Sequence, residues 1–272
     1  MNLEEFSHKK TALEVVELGI KKANTSFGNT IILGILGGSF ISLGYMAALV
    51  VMAGADGMMF SAGMARFLGS LVFPVGIILT VLVGGDIFTG NALVSLSTLA
   101  KKTSLNQLLN NWLAVLIGNF IGGILTAFLM QYAGILDSAT TKYIIKVAEH
   151  KAELSNMELI ISAFFCNIFV ALAVWMSYST KDVIAKIFAM YFPILLFVTS
   201  GYQHSVANMF IFSLAGYLDG GIGLSHSLNA IVMSIIGNAL SGGIILPVVY
   251  YHLLLKDYYN DLRRNQMRGG VK

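Results

Sequence analysis

The sequence predicts an all-α membrane protein, a six-helix bundle made of two inverted halves in which the second and fifth spans are interrupted. The first reason is composition: 56% of the 272 residues are hydrophobic and 11% are charged, with a mean hydropathy of +0.77, values that exclude an ordinary soluble domain of this length. The second is a run of six apolar segments, at about 30 to 53, 66 to 99, 106 to 132, 157 to 178, 184 to 214 and 228 to 255. A crossing helix needs roughly 20 apolar residues, so the second and fifth segments have room for two half-helices and a loop. The third is internal repetition. FPVGIILTVLVGGDIFTGN, from Phe73 to Asn91, is a noisy copy of FPILLFVTSGYQHSVAN, from Phe192 to Asn208, and IGNFIGG from Ile117 recurs as IGNALSGG from Ile236, with Phe73 to Phe192 and Ile117 to Ile236 both 119 positions apart.

The elements follow in order. MNLEEFSHKK carries acids early and no apolar run before Thr30, so it does not read as a cleavable signal peptide. Leu13, Val16, Ile20, Ala23 and Phe27 recur at helical spacing, and residues 1–29 are expected to form an amphipathic helix at the membrane interface. Residues 30–255 form the channel-like domain, with repeat 1 at about 30–132 and repeat 2 at about 157–255, and 256–272 is a basic tail. Three spans per copy, an odd number, turn the second copy over, so the two interrupted helices meet near the midplane. Non-helical backbone at that depth needs protein or a watery cavity to satisfy it; Gly84, Gly85, Gly90 and Gly201 fit such breaks. Gly118, Gly122 and Gly123, and Gly237, Ser241, Gly242 and Gly243, make spans three and six close-packing helices that are expected to clamp the broken ones. Thirteen Lys and Arg on the side of the termini face four on the other (Arg66, Lys142, Lys146 and Lys151), which places both termini in the cytoplasm. The net charge of +3 is then topology signal, with no nucleic-acid partner. The single cysteine, Cys166, forms no intrachain disulfide.

Interruptions at matching places in inverted halves point to a permeation site. His204 is the outlier within it, because titratable groups in spans are costly and functional. It stands where a half-helix begins, whose backbone N-H groups and dipole favour an anion; the alternative is a neutral histidine bonded to a backbone carbonyl. Thr89 can give its hydroxyl to His204 or to a local turn. Asn91 and Asn208 follow the breaks and can cap half-helices or offer amide donors to a solute. Asp86 would repel anions in the pore, so it is expected turned away, bonded to backbone or solvent. Lys151, in the outer loop AEHKAELS, would concentrate anions at the mouth. Phe73, Ile77, Phe88, Val170 and Phe197 are candidate dry constrictions or simply core. No HExxH, GxSxG, phosphate loop or Cys/His metal cluster is present, so no enzyme, cofactor or metal is expected. A water or glycerol channel would share the half-helices, but the paired Asn-Pro-Ala signature is replaced by Gly90-Asn91-Ala92 and Val206-Ala207-Asn208.

GGDIFTGN, AVWMSYS at 173 to 179 and SGYQHSVANMF at 200 to 210 resemble the formate/nitrite transporter family, and the likeness runs through nearly the whole chain. The resemblance implies an aquaporin-like protomer and a homopentamer with one pore per subunit, in the inner membrane of a bacterium. It puts the family's central histidine on His204, its loop threonine on Thr89, its vestibule lysine on Lys151, its helix-five asparagine on Asn208 and a pore-side polar position on Asn167. It puts the constrictions on Phe73, Ile77, Phe88, Val170 and Phe197. Many formate and nitrite members carry Glu before the histidine, where this chain has Gln203. The chain looks closest to the hydrosulfide-channel branch, which implies passage of a small monovalent anion (hydrosulfide first, then formate or nitrite), export of sulfide, and transient protonation of the solute at the histidine.

Overall fold

In a computed structural model, residues 7–57 and 60–269 are described; positions 1–6 of the amphipathic segment, 58–59 and 270–272 of the basic tail lie outside the described residues. Among the described residues the chain is helical throughout, and six helices are long and apolar enough to cross a membrane. In chain order the α-helices are α1 (His8–Ala23), α2 (Phe27–Gly57), α3 (Ala62–Ser70), α4 (Val75–Leu79), α5 (Phe88–Asn91), α6 (Ser95–Leu99), α7 (Leu105–Met130), α8 (Ser138–Ala152), α9 (Asn156–Ser177), α10 (Val183–Ser200), α11 (Ser205–Tyr217), α12 (Leu224–Asn238), α13 (Leu246–Tyr250) and α14 (Lys256–Gly269). Polar caps start the main helices where the sequence supplies them. Ser104 with Gln107 and Ser155 with Glu158 form capping boxes on α7 and α9, and Asp137 and Asp182 cap α8 and α10.

Both expected interruptions are present. The second span runs to a π-helical turn at Thr80–Gly84, becomes extended at Gly85 and Ile87, and resumes as α5. Its partner α10 ends at Gly201, whose φ of +77° is a left-handed cap that a Cβ would strain, and the chain resumes as α11. Phe73 to Asn91 is two residues longer than Phe192 to Asn208, and the π turn lies in that longer copy. The Phe-Pro pairs are therefore not equivalent: Pro74 caps α4 after a turn, whereas Pro193 lies inside α10. Phe73 is buried and Phe192 is exposed.

The glycines of spans three and six do clamp, although their partners differ from those expected. A Cβ on Gly118 would lie 2.4 Å from the Ile31 carbonyl, and one on Gly122 2.3 Å from that of Ile35, so α7 is pressed on α2. Gly237 would meet Ile160 O at 2.2 Å, which presses the sixth span on α9. Spans one and four thus take most of the tightest contacts, while Gly123 faces the half-helix α11 and a Cβ on Gly242 would lie 3.3 Å from Ala92 of the interrupted second span. Two helices frame this bundle. α1 buries Ala12, Val15, Val16, Gly19 and Ala23 against the protein, while Phe27 starts α2 and is exposed. The segment expected as an outer loop is the helix α8, which buries Thr140, Ile144, Ala148 and Lys151.

Candidate functional site

The two interruptions are held by a pair of asparagines. Asn119 Oδ1 accepts the Phe88 N-H at 2.9 Å, while its Nδ2 donates to the carbonyls of Gly34 and Asp86, both at 2.8 Å. Asn238 repeats the pattern in the other half. Its Oδ1 accepts the Ser205 N-H at 3.0 Å, and its Nδ2 donates to the carbonyls of Ala163 at 2.7 Å and Gln203 at 3.3 Å. Both are completely buried. Each therefore satisfies backbone groups that an interrupted helix leaves open away from water. Sequence reasoning missed both as site residues, although the signal was there: they are the Asn of the two IGN motifs, 119 positions apart.

Asn91 and Asn208 do not cap the half-helices. His204 does: its Nδ1 accepts the Ala207 N-H at 3.1 Å. The N-H groups of Ser205 and Ala207, two of the first three of α11, are thus engaged by Asn238 and His204 instead of being open to a solute, which corrects that expectation for those two. The half-helix dipole remains. Since Nδ1 is an acceptor, the neutral ring carries its hydrogen on Nε2. That nitrogen lies 3.0 Å from Thr89 Oγ1, both residues being buried. Thr89 then accepts from the ring and has its own hydroxyl hydrogen left to give.

On the side of α8 a cavity of about 700 Å³ reaches His204 and is lined as well by Phe73, Phe197, Gln203, Lys151, Arg66 and others. Phe197 stacks on the His204 ring at 5.8 Å between centroids and meets Phe73 edge to face at 5.5 Å. Ile77, Phe88 and Val170 line neither cavity and are buried. Lys151 is the last-turn cation of α8, not a loop residue, and such a position is favoured by the helix dipole. Its Nζ donates to Gln203 Oε1 at 2.9 Å and Asn208 Oδ1 at 3.0 Å. Burial pushes its pKa down to about 8, with the Arg66 charge acting in the same direction. Both amide hydrogens of Asn208 are taken, by Gln203 Oε1 and Ser234 Oγ, so Asn208 offers a solute no donor.

On the side of α1 a smaller cavity of about 240 Å³ is lined by Lys22, Asp86, Gly90 and Asn91, among others. Asp86 is neither turned away nor solvated. It accepts Lys22 Nζ at 2.7 Å in an ion pair whose side chains are 19% and 6% exposed. Lys22 also donates to Asn91 Oδ1, and Asn91 Nδ2 donates to Asn111 Oδ1 at 3.0 Å. Sequence reasoning counted Lys22 only as topology signal. Asn167, buried on α9, donates to the Asn238 carbonyl at 2.7 Å; its Oδ1 and the nearby Ser205 Oγ are buried polar atoms with no partner.

Two cavities thus lie on opposite sides of the interrupted helices, whose breaks meet in a buried His-Thr contact. The sequence model described as formate/nitrite transporter matches residues 9–252. The chain belongs to the formate/nitrite transporter family. It is a multi-pass membrane transport protein, not an enzyme. Over 90% of its length it is 35% identical to the formate channel BtFdhC of Bacillus thuringiensis, of which 95% is covered. It is 34% identical to the uncharacterized transporter YrhG of Bacillus subtilis, covering 93% of this chain and 94% of that one. The formate channel FocA of Escherichia coli strain K12 is 31% identical, over 89% and 92% of the two chains. Among solved structures, a pentameric formate channel with formate bound has a TM-score of 0.72 at 26% identity, over 84% of this chain and 98% of that one. An FNT family ion channel has the same fold, with a TM-score of 0.79 at 24% identity, over 89% and 98%.

Proposed function

We propose that the protein is a selective channel for small monovalent anions, with formate the first substrate, working as a homopentamer with one pore per subunit in a bacterial inner membrane, both termini in the cytoplasm. The observation that carries this reading is the Thr89–His204 contact, buried between an outer cavity that holds Lys151 and an inner one that holds Lys22. Lys151, which has a neutral amide as its partner where Lys22 has a carboxylate, raises the local anion concentration at the outer mouth. Phe73 and Phe197 strip water on the outer side. At the waist, where a bare charge costs most, the Thr89 hydroxyl meets the ion while His204 holds that hydroxyl in line. A doubly protonated ring would put a second N-H on Nδ1, against the Ala207 N-H that it now accepts. We therefore read the histidine as a hydrogen-bonding group and not as a store of charge, which narrows the transient protonation expected from the sequence.

Formate is preferred because BtFdhC, FocA and one of the two solved structures named above are formate channels; hydrosulfide and nitrite share its charge and size class. The test is flux of formate, hydrosulfide and nitrite into proteoliposomes, beside His204→Asn and Thr89→Val. Asparagine keeps an N-cap acceptor, so the half-helix survives while the waist contact is lost. Formate flux should fall at least about tenfold in both variants, equivalent to about 1.4 kcal/mol in the barrier. Unchanged flux in both removes the pair from the path, and hydrosulfide outpacing formate in the wild type reverses the substrate order.

A further inference from the structure

The two mouths are built from the same parts with one exchange. Lys22, Asp86 and Asn91 on the inner side correspond to Lys151, Gln203 and Asn208 on the outer side: Lys151 follows Lys22 by 129 positions, Gln203 follows Asp86 by 117 and Asn208 follows Asn91 by 117. The contacts correspond too. Each lysine donates to the residue before or within the break and to the asparagine after it. On the inner side the first acceptor is a carboxylate, which cancels the cation at 2.7 Å. On the outer side it is a neutral amide at 2.9 Å, and Lys151 has no carboxylate in salt-bridge range among the described residues.

The surrounding charges do not cancel it. Of the two acids that line the outer cavity, Asp56 pairs with Lys146 at 3.4 Å and Glu158 is engaged by the Ser155 N-H and hydroxyl. Arg66, also lining it, adds a second cation, its guanidinium resting where a Cβ on Gly201 would lie 2.8 Å away. His150 lines the cavity as well, and Lys21 lines the inner one; both are exposed, where water and salt screen them. The asymmetry therefore sits at the buried Lys151 and the half-buried Lys22, next to the waist.

We infer that the path is polarised, with its outer vestibule a binding station in which the permeating anion is itself the counter-ion of Lys151, and that Gln203 is the residue that keeps this station open. The inference rests on the anion-channel reading above. A small carboxylate or similar monovalent anion then binds more tightly from the outer face than from the inner face. A passive pore has the same ratio of maximal rate to half-saturating concentration from both faces, so tighter outer binding comes with a proportionally lower maximal rate from that side.

The experiment is formate uptake into right-side-out and inside-out membrane vesicles carrying the wild type, Gln203→Glu and Asp86→Asn. The wild type should half-saturate at a lower concentration from the outer face. Gln203→Glu, nearly isosteric, should raise the outer value about tenfold, equivalent to about 1.4 kcal/mol, and bring the two faces together. Asp86→Asn should lower the inner value toward the outer one. Formate flux with equal half-saturation from the two faces, or an outer value unmoved by Gln203→Glu, overturns the polarity while leaving the channel intact. Where Gln203→Glu does not reach the membrane, the wild type and Asp86→Asn decide: an inner value unmoved by Asp86→Asn overturns it. No formate flux by the wild type above vesicles without the protein sinks the channel reading itself.

Discussion

Replacing Asn238 with leucine tests the claim that a buried amide, and not helix propensity, holds the fifth span open. Leucine has the same branched heavy-atom skeleton, so the change removes the hydrogen bonds without opening a cavity. Three bonds go: from the Ser205 N-H at 3.0 Å, and to the carbonyls of Ala163 at 2.7 Å and Gln203 at 3.3 Å. Interhelical bonds in membranes contribute roughly 0.6 to 1.7 kcal/mol each, which gives a loss of about 3 kcal/mol for the set. At roughly 2–4 °C per kcal/mol for a large domain, the unfolding midpoint should fall by about 6–12 °C. The assay is the thermal midpoint of purified protein in detergent, read beside formate flux at a temperature where both proteins are folded. Flux should fall as well, because Ser205 opens the half-helix that His204 caps. A variant that melts within about 2 °C of the wild type and conducts normally would refute the reasoning, and the same holds for Asn119→Leu in the other half.

Two further outcomes follow from the outer mouth. Burial holds Lys151 at about 8 in the fold against 10.5 in the unfolded chain. Its charge, and with it the outer-face affinity for formate, should be present below pH 8 and lost as outer pH rises through 8; Lys151→Met should flatten that profile. The stability sign is opposite: because folding expels this proton between those two values, the lysine costs stability below pH 8 and the cost is relieved as pH rises from 8 to 10.5. Gly201→Ala places a Cβ at φ +77° and 2.8 Å from Arg66, and should lower stability by about 1–2 kcal/mol, measured by the same melting assay.

The fold was largely readable because span length, glycine breaks and inverted repetition are each one-dimensional signals. The Thr89–His204 contact was readable too, since an inverted repeat brings the two breaks together. What escaped were pairings between distant segments. Asn119 and Asn238 sit in apolar runs where an amide looks like a minor polar intrusion, and only its three partners on neighbouring elements show that it holds a break. Lys22 reads as one more inner-side cation until Asp86 is placed beside it. α8 did leave a trace: Thr140, Ile144, Ala148 and Lys151 recur at helical spacing, which puts the lysine on the buried face of a helix. The charged residues between them masked that stripe.

The separation of charge from the waist has a physical reason. An ion must be held firmly enough to enter and loosely enough to leave. A fixed cation at the dry centre would be weakly screened and would trap a monovalent anion there, since Coulomb attraction grows as the surroundings lose water. In this fold the lysines reach the path from peripheral helices, α1 and α8, and stop at the asparagines that follow the breaks. The centre is left to groups that donate hydrogen bonds without net charge, the Thr89 hydroxyl and the neutral His204 ring. On the proposed anion-channel reading, attraction and dehydration are handled at different depths, so strengthening one does not have to slow the other.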